Sequence, residues 1–275
     1  MRIGLFGAGR LGQAVMAAAD EAGHEIVWAL EEAGDPPSVP DVALDASQAS
    51  GVAAHVAWAR RVGCPLVVGA TGWEPSILDG AEAWDIGVMV SPNFSLGVAF
   101  MRRAALALGR FSALVGGGGT AGAGSAGAGA TGPAVATGPV GPAASLSGGA
   151  DLAILERHHN KKADAPSGTA KLLAEALAEG NRQGGGSFSG WCTGAAQAGK
   201  INVASLRAGD EVGYHELRLE APAETIVFSH DAHSRAVFAS GAIRALEWMR
   251  GRKGLYSFDD FAATLIDPLF ASGGH

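Results

Sequence analysis

The sequence has few of the features that mark a secreted, metal-binding or membrane protein. It contains only two cysteines, Cys64 and Cys192, which lie far apart and have neither CxxC nor metal-ligand spacing. We therefore expect buried free thiols and no metal site. No run of about 18 strongly apolar residues is present, which argues against a membrane helix. The first residues enter a strand pattern without a cleavable signal, so a cytoplasmic protein is predicted.

Positive charge is also in short supply. The 20 lysines and arginines are outnumbered by 27 aspartates and glutamates, giving a formal net charge of −7. A surface of this kind argues against a protein that coats nucleic acid, although it leaves room for a local basic pocket. The 275 residues are enough for one large or two modest domains.

A glycine motif directly follows the first predicted strand, residues 3–6, and precedes a predicted helix at residues 13–22. Such glycines permit a tight turn and let a pyrophosphate approach the helix N-terminus. The motif alone is weak evidence, but its place between strand and helix predicts a cofactor loop. Its residues are Gly7, Ala8, Gly9, Arg10, Leu11 and Gly12.

Two acidic residues end the second predicted strand, residues 25–30. Glu31 stands nineteen residues after Gly12, where a carboxylate accepts hydrogen bonds from the hydroxyls of an adenosine ribose. The alternative is a surface acid at a strand end. Glu32 follows where a 2′-phosphate would need a cation, so NADH is predicted to be preferred, with NADPH possible.

Strands continue to alternate with helices through residue 95. Residues 42–45, 66–72 and 86–91 are predicted strands, and residues 48–62 a helix, which indicates a doubly wound parallel sheet of the Rossmann type. Ligands of such sheets bind beyond the carboxyl ends of the strands. The further residues predicted to line a dinucleotide cleft there are Gly69, Ala70, Thr71, Ser91, Pro92, Asn93 and Phe94.

An uncharged segment interrupts the chain after a predicted helix at residues 96–110. Residues 111–150 contain no charged side chain and consist mostly of Gly, Ala, Ser, Thr and Pro. Such a segment cannot bury enough side chain to offset its ordering entropy, so we predict a largely disordered insertion. A lid is the alternative, although no side chain in the segment suits catalysis.

Ionisable residues concentrate in the stretch 156–170, which begins Glu156-Arg-His-His-Asn-Lys-Lys and ends Ser-Gly-Thr-Ala170. Ser167 is a predicted N-cap, and the N–H groups of Gly168 and Thr169 would point out of the helix, where a carboxylate or phosphate binds well. This predicts a pocket for a small, doubly anionic substrate. A merely solvated charged loop is the alternative. The helix is indicated by an apolar stripe with a terminal glycine, namely Leu172, Leu173, Ala176, Leu177 and Gly180.

Three strands near residues 201–206, 215–220 and 225–230 follow one another without helices. They predict an α+β domain with a mixed or antiparallel sheet, whose broad face suits an oligomer interface. Residues 234–249 form a predicted helix, and Ser257 caps a predicted short one. Arg235 is a candidate for holding a closed, ligand-bound state, with a surface salt bridge equally compatible.

Residues 156–169 resemble the signature of the dihydrodipicolinate reductases, also called 4-hydroxy-tetrahydrodipicolinate reductases. The signature is E-x-H-H-x-x-K-x-D-A-P-S-G-T. The resemblance covers the chain except about residues 111–150, where the family usually has a short connection. The supporting segments are Gly69-Ala-Thr-Gly72, Asn93-Phe-Ser95, Leu206-Arg-Ala-Gly-Asp210, Ser229-His230 and Ser234-Arg235.

The resemblance implies an NAD(P)H-dependent oxidoreductase that gives hydride to a cyclic unsaturated dicarboxylate. The product would be tetrahydrodipicolinate, on the diaminopimelate route of lysine biosynthesis. Residues 1–95 and 236–275 are expected to form the dinucleotide-binding domain. Residues 96–235 are expected to form the substrate-binding and oligomerisation domain of a homotetramer.

The resemblance also implies roles for the motif residues. His158 is expected to be the catalytic acid/base and Lys162 its partner proton donor, whereas His159, Gly168 and Thr169 are expected to bind substrate. Histidine titrates near neutral pH, which suits the proton uptake that must accompany hydride addition.

Two other readings of the sequence remain. A different NAD-dependent oxidoreductase would be expected to have an altered 156–169 motif, and the motif is intact. A catalytically silent NAD-sensing or scaffold protein would be expected to have lost His158 or Lys162, and both are present.

Overall fold

The computed structural model describes residues 1–31, 35–115 and 150–271. The chain divides into two compact units, one formed by Met1–Arg103 with Asp231–His275 and the other by Ala104–His230. The sequence had placed these boundaries after residues 95 and 235. The prediction made on Glu32, and the predicted insertion from residue 116 to 149, lie outside the described residues.

Strands are interspersed with helices in the first unit, whereas most strands of the second unit follow one another. In chain order they are β1 (Arg2–Phe6), α1 (Arg10–Glu21), β2 (Glu25–Leu30), β3 (Val42–Asp45), α2 (Ala49–Val62), β4 (Leu66–Val68), β5 (Gly87–Val90), α3 (Leu96–Val115), β6 (Asp151–His158), α4 (Gly168–Gln183), β7 (Trp191–Cys192), β8 (Ile201–Arg207), β9 (Gly213–Ala221), β10 (Glu224–Ala232), α5 (Ala236–Met249), β11 (Gly254–Ser257) and α6 (Phe258–Phe270).

Six parallel strands form the sheet of the first unit, in the order β11-β5-β4-β3-β1-β2. All four residues of β3 are buried, as expected for a parallel sheet covered by helices on both faces. One apolar cluster joins the sheet to α1, α5 and α6, and a second joins it to α2. The predicted doubly wound sheet is confirmed.

The strand β11 and the helix α6 complete this sheet from the C-terminal end of the chain. Leu255 pairs with Val88 of β5, and α6 starts at once after β11. Ser257 caps α6, as predicted, because its side chain accepts the N–H of Asp260 while the Asp260 carboxylate accepts the N–H of Ser257. The strand was not predicted, since four residues carry too little periodicity to be recognised.

The second unit contains a five-stranded mixed sheet in the order β10-β9-β6-β8-β7. Its central strand β6 runs parallel to β8 and antiparallel to β9. Alternate residues of β6 are buried, so one face of the strand is covered. The predicted mixed sheet is therefore confirmed, and β6 carries the charged motif at its carboxyl end.

Two helix ends differ from their predictions. Helix α3 continues to Val115, so the first residues assigned to the insertion are helical. Helix α4 continues past Gly180 to Gln183, so Gly180 is not a stop. A Cβ at Gly180 would lie 2.1 Å from the Leu106 carbonyl oxygen, and one at Gly109 would lie 2.2 Å from that of Leu177. The glycine thus serves close packing of α4 on α3, a long-range requirement that local sequence does not reveal.

Leu172, which was predicted to belong to the apolar stripe of α4, is 40% exposed and lies outside the buried face of that helix. Cys64 and Cys192 are free and buried, as predicted, and burial raises the pKa of the Cys64 thiol to about 12. No helix in the described ranges combines the length and the apolar character needed to cross a membrane.

Candidate active site

The carboxyl end of β6 places Glu156 and His158 on the same, buried face of the mixed sheet. Residues two apart on a strand point the same way, which aligns these two side chains. Glu156 is fully buried and His158 is 9% exposed. His159, the first residue after the strand, is half-buried, and its N–H donates to the Glu211 carbonyl at 2.8 Å.

The Glu156 carboxylate has several hydrogen-bond partners. One oxygen is in a short hydrogen bond with Nδ1 of His158. The other accepts from Nη2 of Arg207 at 2.6 Å and from the N–H of Ser167 at 3.3 Å. Burial alone would raise the pKa of Glu156, but the hydrogen bonds from Arg207 and Ser205 and the nearby positive charge lower it, so the group is an anion.

The pKa of His158 is lowered because burial disfavours the imidazolium ion. The Glu156 carboxylate opposes this effect, while the charges of Lys162 and Arg207 add to it. Since Arg207 already neutralises Glu156, we expect His158 to be a neutral imidazole at pH 7 with its pKa below the ordinary value.

A second histidine, His215 on β9, stands beside the first. The rings of His158 and His215 are 5.2 Å apart between centroids and are arranged edge to face. His215 is 4% exposed, and its pKa is lowered to about 3, chiefly by burial and then by the neighbouring His158. It is therefore neutral, and Nε2 lies 3.2 Å from Oγ of Ser167.

Ser167 is the N-cap of α4, as predicted. Its Oγ accepts the N–H of Ala170 at 3.1 Å, which leaves the hydroxyl hydrogen for His215. Gly168 follows at the first helical position and is exposed, with no atom within 4 Å of the place where a Cβ would stand. The half-buried Thr169 comes next. The positive end of the helix dipole and the open space at this helix N-terminus favour the binding of a carboxylate.

The two lysines of the motif differ in their surroundings. Lys162 is three-quarters buried, and its Nζ lies 2.7 Å from the Asp164 carboxylate. Burial opposes ionisation of Asp164, but the hydrogen bond and charge of Lys162 lower its pKa overall. Lys161 is exposed. The arrangement is compatible with the role that the resemblance implied for Lys162.

Glu156, His158 and His215 offer donor atoms that all lie within 4.8 Å of one another. A divalent cation would have to displace the hydrogen between Glu156 and His158. It would also meet the guanidinium of Arg207 on the other carboxylate oxygen. The site is thus arranged for a proton rather than for a metal ion.

The predicted cofactor loop has the shape that a pyrophosphate requires. Gly7 has a φ of 90°, and a Cβ at Gly12 would lie 2.1 Å from the Gly7 carbonyl oxygen. Helix α1 begins at Arg10, three residues before the predicted start, with Gly9 as an N-cap that supplies no side chain. No atom lies within 4 Å of a Cβ placed on Gly9. The amino end of α1 is therefore open to a phosphate.

Three other predicted cofactor segments lie at the carboxyl ends of parallel strands in the first unit. Exposed Glu31 follows β2, whose last carbonyl, that of Leu30, accepts the Gly7 N–H at 2.7 Å. The N–H groups of Gly69 and Ala70 both donate to the Asp45 carbonyl. Of the remaining predicted residues, Thr71 and Pro92 are exposed, Asn93 is half-buried, and Ser91 and Phe94 are buried.

Phe94 differs from its predicted role as a cofactor contact, because its side chain is only 1% exposed. It packs edge to face on Phe258 and lies directly under Gly69, where a Cβ would come within 2.9 Å of its ring. Its side chain therefore supports the loop from below.

Functional candidates that the sequence did not reveal are Asp45, Ser47 and His55. The fully buried Asp45 carboxylate accepts from Oγ of Ser47 at 2.5 Å and lies 2.7 Å from Nδ1 of His55. A Cβ on Gly7 would lie 2.7 Å from Cα of Ser47, so this loop packs on the glycine turn. The sequence signal that could have indicated a functional role was the position of Asp45 and Ser47 at the carboxyl end of β3.

Arg207 and His215 were also missed as members of the site. The sequence pointed to Arg207 only as part of the segment 206–210. In the structure, the N–H of Ala208, the residue after Arg207, donates to the His158 carbonyl at 3.0 Å. Neither residue has a sequence neighbour that points to catalysis, because pairing of β6 with β8 and β9 creates the contact.

Models of known families match most of the chain. The model described as "Dihydrodipicolinate reductase, N-terminus" matches residues 35–94, and "Dihydrodipicolinate reductase, C-terminus" matches residues 135–262. The 4-hydroxy-tetrahydrodipicolinate reductase of Gluconobacter oxydans is 36% identical over 278 residues, which is 94% of this chain and 96% of the relative. This chain belongs to the 4-hydroxy-tetrahydrodipicolinate reductase family. The resemblance drawn from residues 156–169 is confirmed.

Other members of the 4-hydroxy-tetrahydrodipicolinate reductase family agree. The reductase of Methanosarcina barkeri is 32% identical over 233 residues, covering 81% of this chain and 73% of the relative. A dipicolinate-bound dihydrodipicolinate reductase from Paenisporosarcina sp. TG-14 has the same fold, with a TM-score of 0.68 and 22% identity, covering 94% of this chain and 98% of the other. The chain is thus an oxidoreductase of this family.

Proposed function

We propose that the chain transfers hydride from NADH to a cyclic unsaturated dicarboxylate, giving tetrahydrodipicolinate in lysine biosynthesis through diaminopimelate. The observation that carries the proposal is the buried Glu156–His158 pair beside Lys162 and the N-terminus of α4. A positioned imidazole, an ammonium group and a helix N-terminus suit a substrate that is anionic and must take up a proton.

Residues of the first unit are proposed to hold the cofactor. The amino end of α1, from Gly7 to Gly12, suits the pyrophosphate, and Glu31 suits the hydroxyls of the adenosine ribose. Reduced nicotinamide supplies the hydride when it is bound. Segments 69–71 and 91–93 are assigned to the same cofactor because they follow neighbouring strands, β4 and β5. A second carboxylate at Glu32 would repel a 2′-phosphate, which supports NADH as the preferred form over NADPH.

Residues of the second unit are proposed to hold the substrate. The N–H groups of Gly168 and Thr169 bind one carboxylate, and the side chains of His159 and Lys162 bind the other. Two anchors on a ring fix its orientation before reaction, which removes part of the entropic barrier. Lys162 exchanges its bond to Asp164 for the substrate.

His158 is proposed to handle the proton. Hydride addition to a conjugated C=C–C=N system leaves an enamine-like anion on the substrate, and this anion needs one proton. An imidazolium whose pKa is lowered by burial is a stronger acid than free histidine, so it gives up its proton readily. Because His158 rests as a neutral imidazole, Lys162 supplies the proton that forms this imidazolium, and before that transfer its charge stabilises the anion.

A homotetramer in the cytoplasm is the assembly that we propose. On the uncovered face of the mixed sheet, Arg157 of β6 pairs with Leu206 of β8, and Leu155 lies two residues before Arg157. Leu206 is 49% exposed. A broad sheet face of this composition suits contact with a second copy.

Arg235 stays assigned to ligand-induced closure, because its side chain forms no ion pair within the described parts of the chain.

The proposal is tested by following NADH oxidation by the purified protein at constant pH. Substrate is made in the cuvette from pyruvate and aspartate semialdehyde by the synthase that precedes the reductase. We expect turnover with NADH and a smaller kcat/KM with NADPH. Folded protein without turnover would reject the function, and an equal or larger kcat/KM with NADPH would reject only the cofactor preference.

A further inference from the structure

We propose that Glu156 and Arg207 are positioning residues that hold His158 in the Nδ1–H tautomer and so make Nε2 its proton-transfer atom. The inference deepens the proposed function, since it rests on His158 handling the proton. It concerns two residues for which the motif and its resemblance gave no role.

The Glu156 carboxylate lies in the protein interior. An ionised carboxylate without partners is very costly in a protein interior. Glu156 is fully buried, and both of its oxygens are occupied, one by His158 and the other by Arg207 with Ser167. The residue therefore belongs to a built arrangement, in which removal of one partner leaves the others unsatisfied.

The hydrogen bond between Glu156 and His158 has only one possible direction. An ionised carboxylate can only accept hydrogen bonds, so the hydrogen between Glu156 and His158 must reside on Nδ1. A neutral imidazole carries one N–H, which leaves Nε2 with its lone pair. Glu156 thus selects one of the two tautomers, and only Nε2 can take up or release a proton during turnover.

The charges around the His158 ring oppose one another. Four groups face His158, namely Glu156 on its own strand, Arg207 at the end of β8, His215 on β9 and Lys162 in the following loop. Glu156 stabilises the imidazolium, whereas Arg207 and Lys162 oppose it, and His215 is neutral. Because Arg207 binds the same carboxylate, it limits how strongly Glu156 can retain a proton on His158.

The same carboxylate also reaches the substrate side of the site. It accepts the N–H of Ser167, the residue that caps α4, while Oγ of Ser167 contacts His215. One buried group therefore fixes both the proton-transfer residue and the helix end proposed to bind the substrate carboxylate. Its replacement is expected to disturb kcat more than the KM for NADH.

The test is nitrogen NMR of the full-length protein labelled with ¹⁵N-histidine, with the His158 signals assigned by their loss in His158→Gln. We expect Nδ1–H in the wild type. In Glu156→Gln, the amide oxygen stays with Arg207 and the amide NH2 turns to the ring, so the tautomer should change to Nε2–H. The pKa of His158 should fall in Glu156→Gln and rise in Arg207→Gln, each by about 1 unit.

Matched controls come from the neighbouring ion pair Arg157–Glu211, which joins the same part of the chain at 3.3 Å without touching His158. Glu211→Gln and Arg157→Gln should leave the tautomer and pKa of His158 unchanged. Shifts of the same sign in Glu156→Gln and Arg207→Gln, or controls that behave like them, would overturn the proposal.

The wild-type spectrum by itself decides the tautomer, so the proposal stays open to refutation even if a variant fails to fold. An Nε2–H signal for His158 would refute it. These readouts need no turnover, so failure of the reductase assay would reject the proposed function without affecting them. Where turnover is present, we expect Glu156→Gln to lower kcat by about 10-fold to 100-fold, as for other groups that orient a functional side chain.

Discussion

At the scale of single residues, the proposed proton transfer depends on one imidazole and one ammonium whose environments differ from those of their sequence neighbours. His158 is held by a buried carboxylate, whereas His159 is half-buried after the strand. Lys162 is mostly buried beside Asp164, whereas Lys161 is exposed. Adjacent residues of the same type thus offer natural controls for the roles that we propose.

We expect His158→Gln and Lys162→Ala each to lower kcat by about 10²-fold or more, because each removes a group that takes part in proton transfer. The KM for NADH should change little, since neither side chain is assigned to the cofactor. Steady-state kinetics of the NADH assay measure both quantities. Lys161→Ala is the matched control and should keep the wild-type kcat. Unchanged kcat in both His158→Gln and Lys162→Ala would show the assigned roles to be wrong.

His215 predicts how stability depends on pH. Its pKa is about 3 in the folded protein and ordinarily 6.5, so between these values the unfolded state binds more protons than the folded state. The stabilisation is complete above about pH 6.5 and is lost as pH falls towards 3. We expect His215→Gln to reduce the slope of unfolding free energy between pH 6 and 4 by up to about 1.4 kcal/mol per pH unit.

Urea unfolding at several pH values measures this slope. His233 is the control, since its side chain is 88% exposed and His233→Gln should keep the wild-type slope. A slope in His215→Gln equal to that of the wild type would contradict the buried, neutral state of His215.

Residue roles were predictable from sequence only where a long motif carried them. The roles of His158, Lys162 and Gly168 were predicted from the 156–169 signature. The N-cap at Ser167 was predicted from the general preference for serine at that position. Arg207 and His215 were not recognised, because strand pairing across about fifty residues brings them to Glu156 and His158. Contacts of that kind leave no local pattern.

At the scale of elements, the amino end of α1 contains two glycines with different expected roles, Gly12 in packing and Gly9 in cofactor binding. We expect Gly12→Ala to destabilise the protein by about 1–3 kcal/mol, because its Cβ would overlap the Gly7 carbonyl. Gly9→Ala should fold normally, since its Cβ meets no protein atom, but it should weaken NADH binding where a phosphate approaches. Thermal unfolding and NADH titration distinguish the two. Tight NADH binding by Gly9→Ala would contradict the assignment of this loop.

Elements were predicted best where periodicity was long or chemistry was local. The alternation of β1 to β5 with helices was sufficient for the parallel sheet, and the cap at Ser257 was correctly placed. The end of α4 was wrong because Gly180 reads as a stop but packs against Leu106. The strand β11 was missed because four residues next to an existing sheet gain their conformation from pairing with β5.

At the scale of the whole molecule, the first unit combines the two ends of the chain, and the second holds the charged motif. The resemblance implied boundaries after residues 95 and 235, whereas the compact units divide after residues 103 and 230. Local signals could not fix the boundaries, because α3 and β10 each run across one of them.

Assembly through the uncovered face of the mixed sheet predicts a specific dissociation. Leu206→Lys should convert the tetramer to smaller species, because it places a charge on an apolar contact surface. Light scattering coupled to size exclusion measures the mass. Leu269→Lys is the control, since Leu269 is 71% exposed and belongs to α6 of the first unit, not to that sheet. A monomeric wild type, or a Leu206→Lys tetramer, would contradict the proposed assembly.

The proposed transfer of hydride from NADH to the cyclic dicarboxylate can be followed directly with an isotope label. NADH carrying deuterium at the transferred position is incubated with the protein and the substrate made in situ, and the product is examined by mass spectrometry. We predict one deuterium in tetrahydrodipicolinate for each NADH oxidised. Oxidation of NADH without deuterium in that product, or no oxidation by folded protein, would contradict the account.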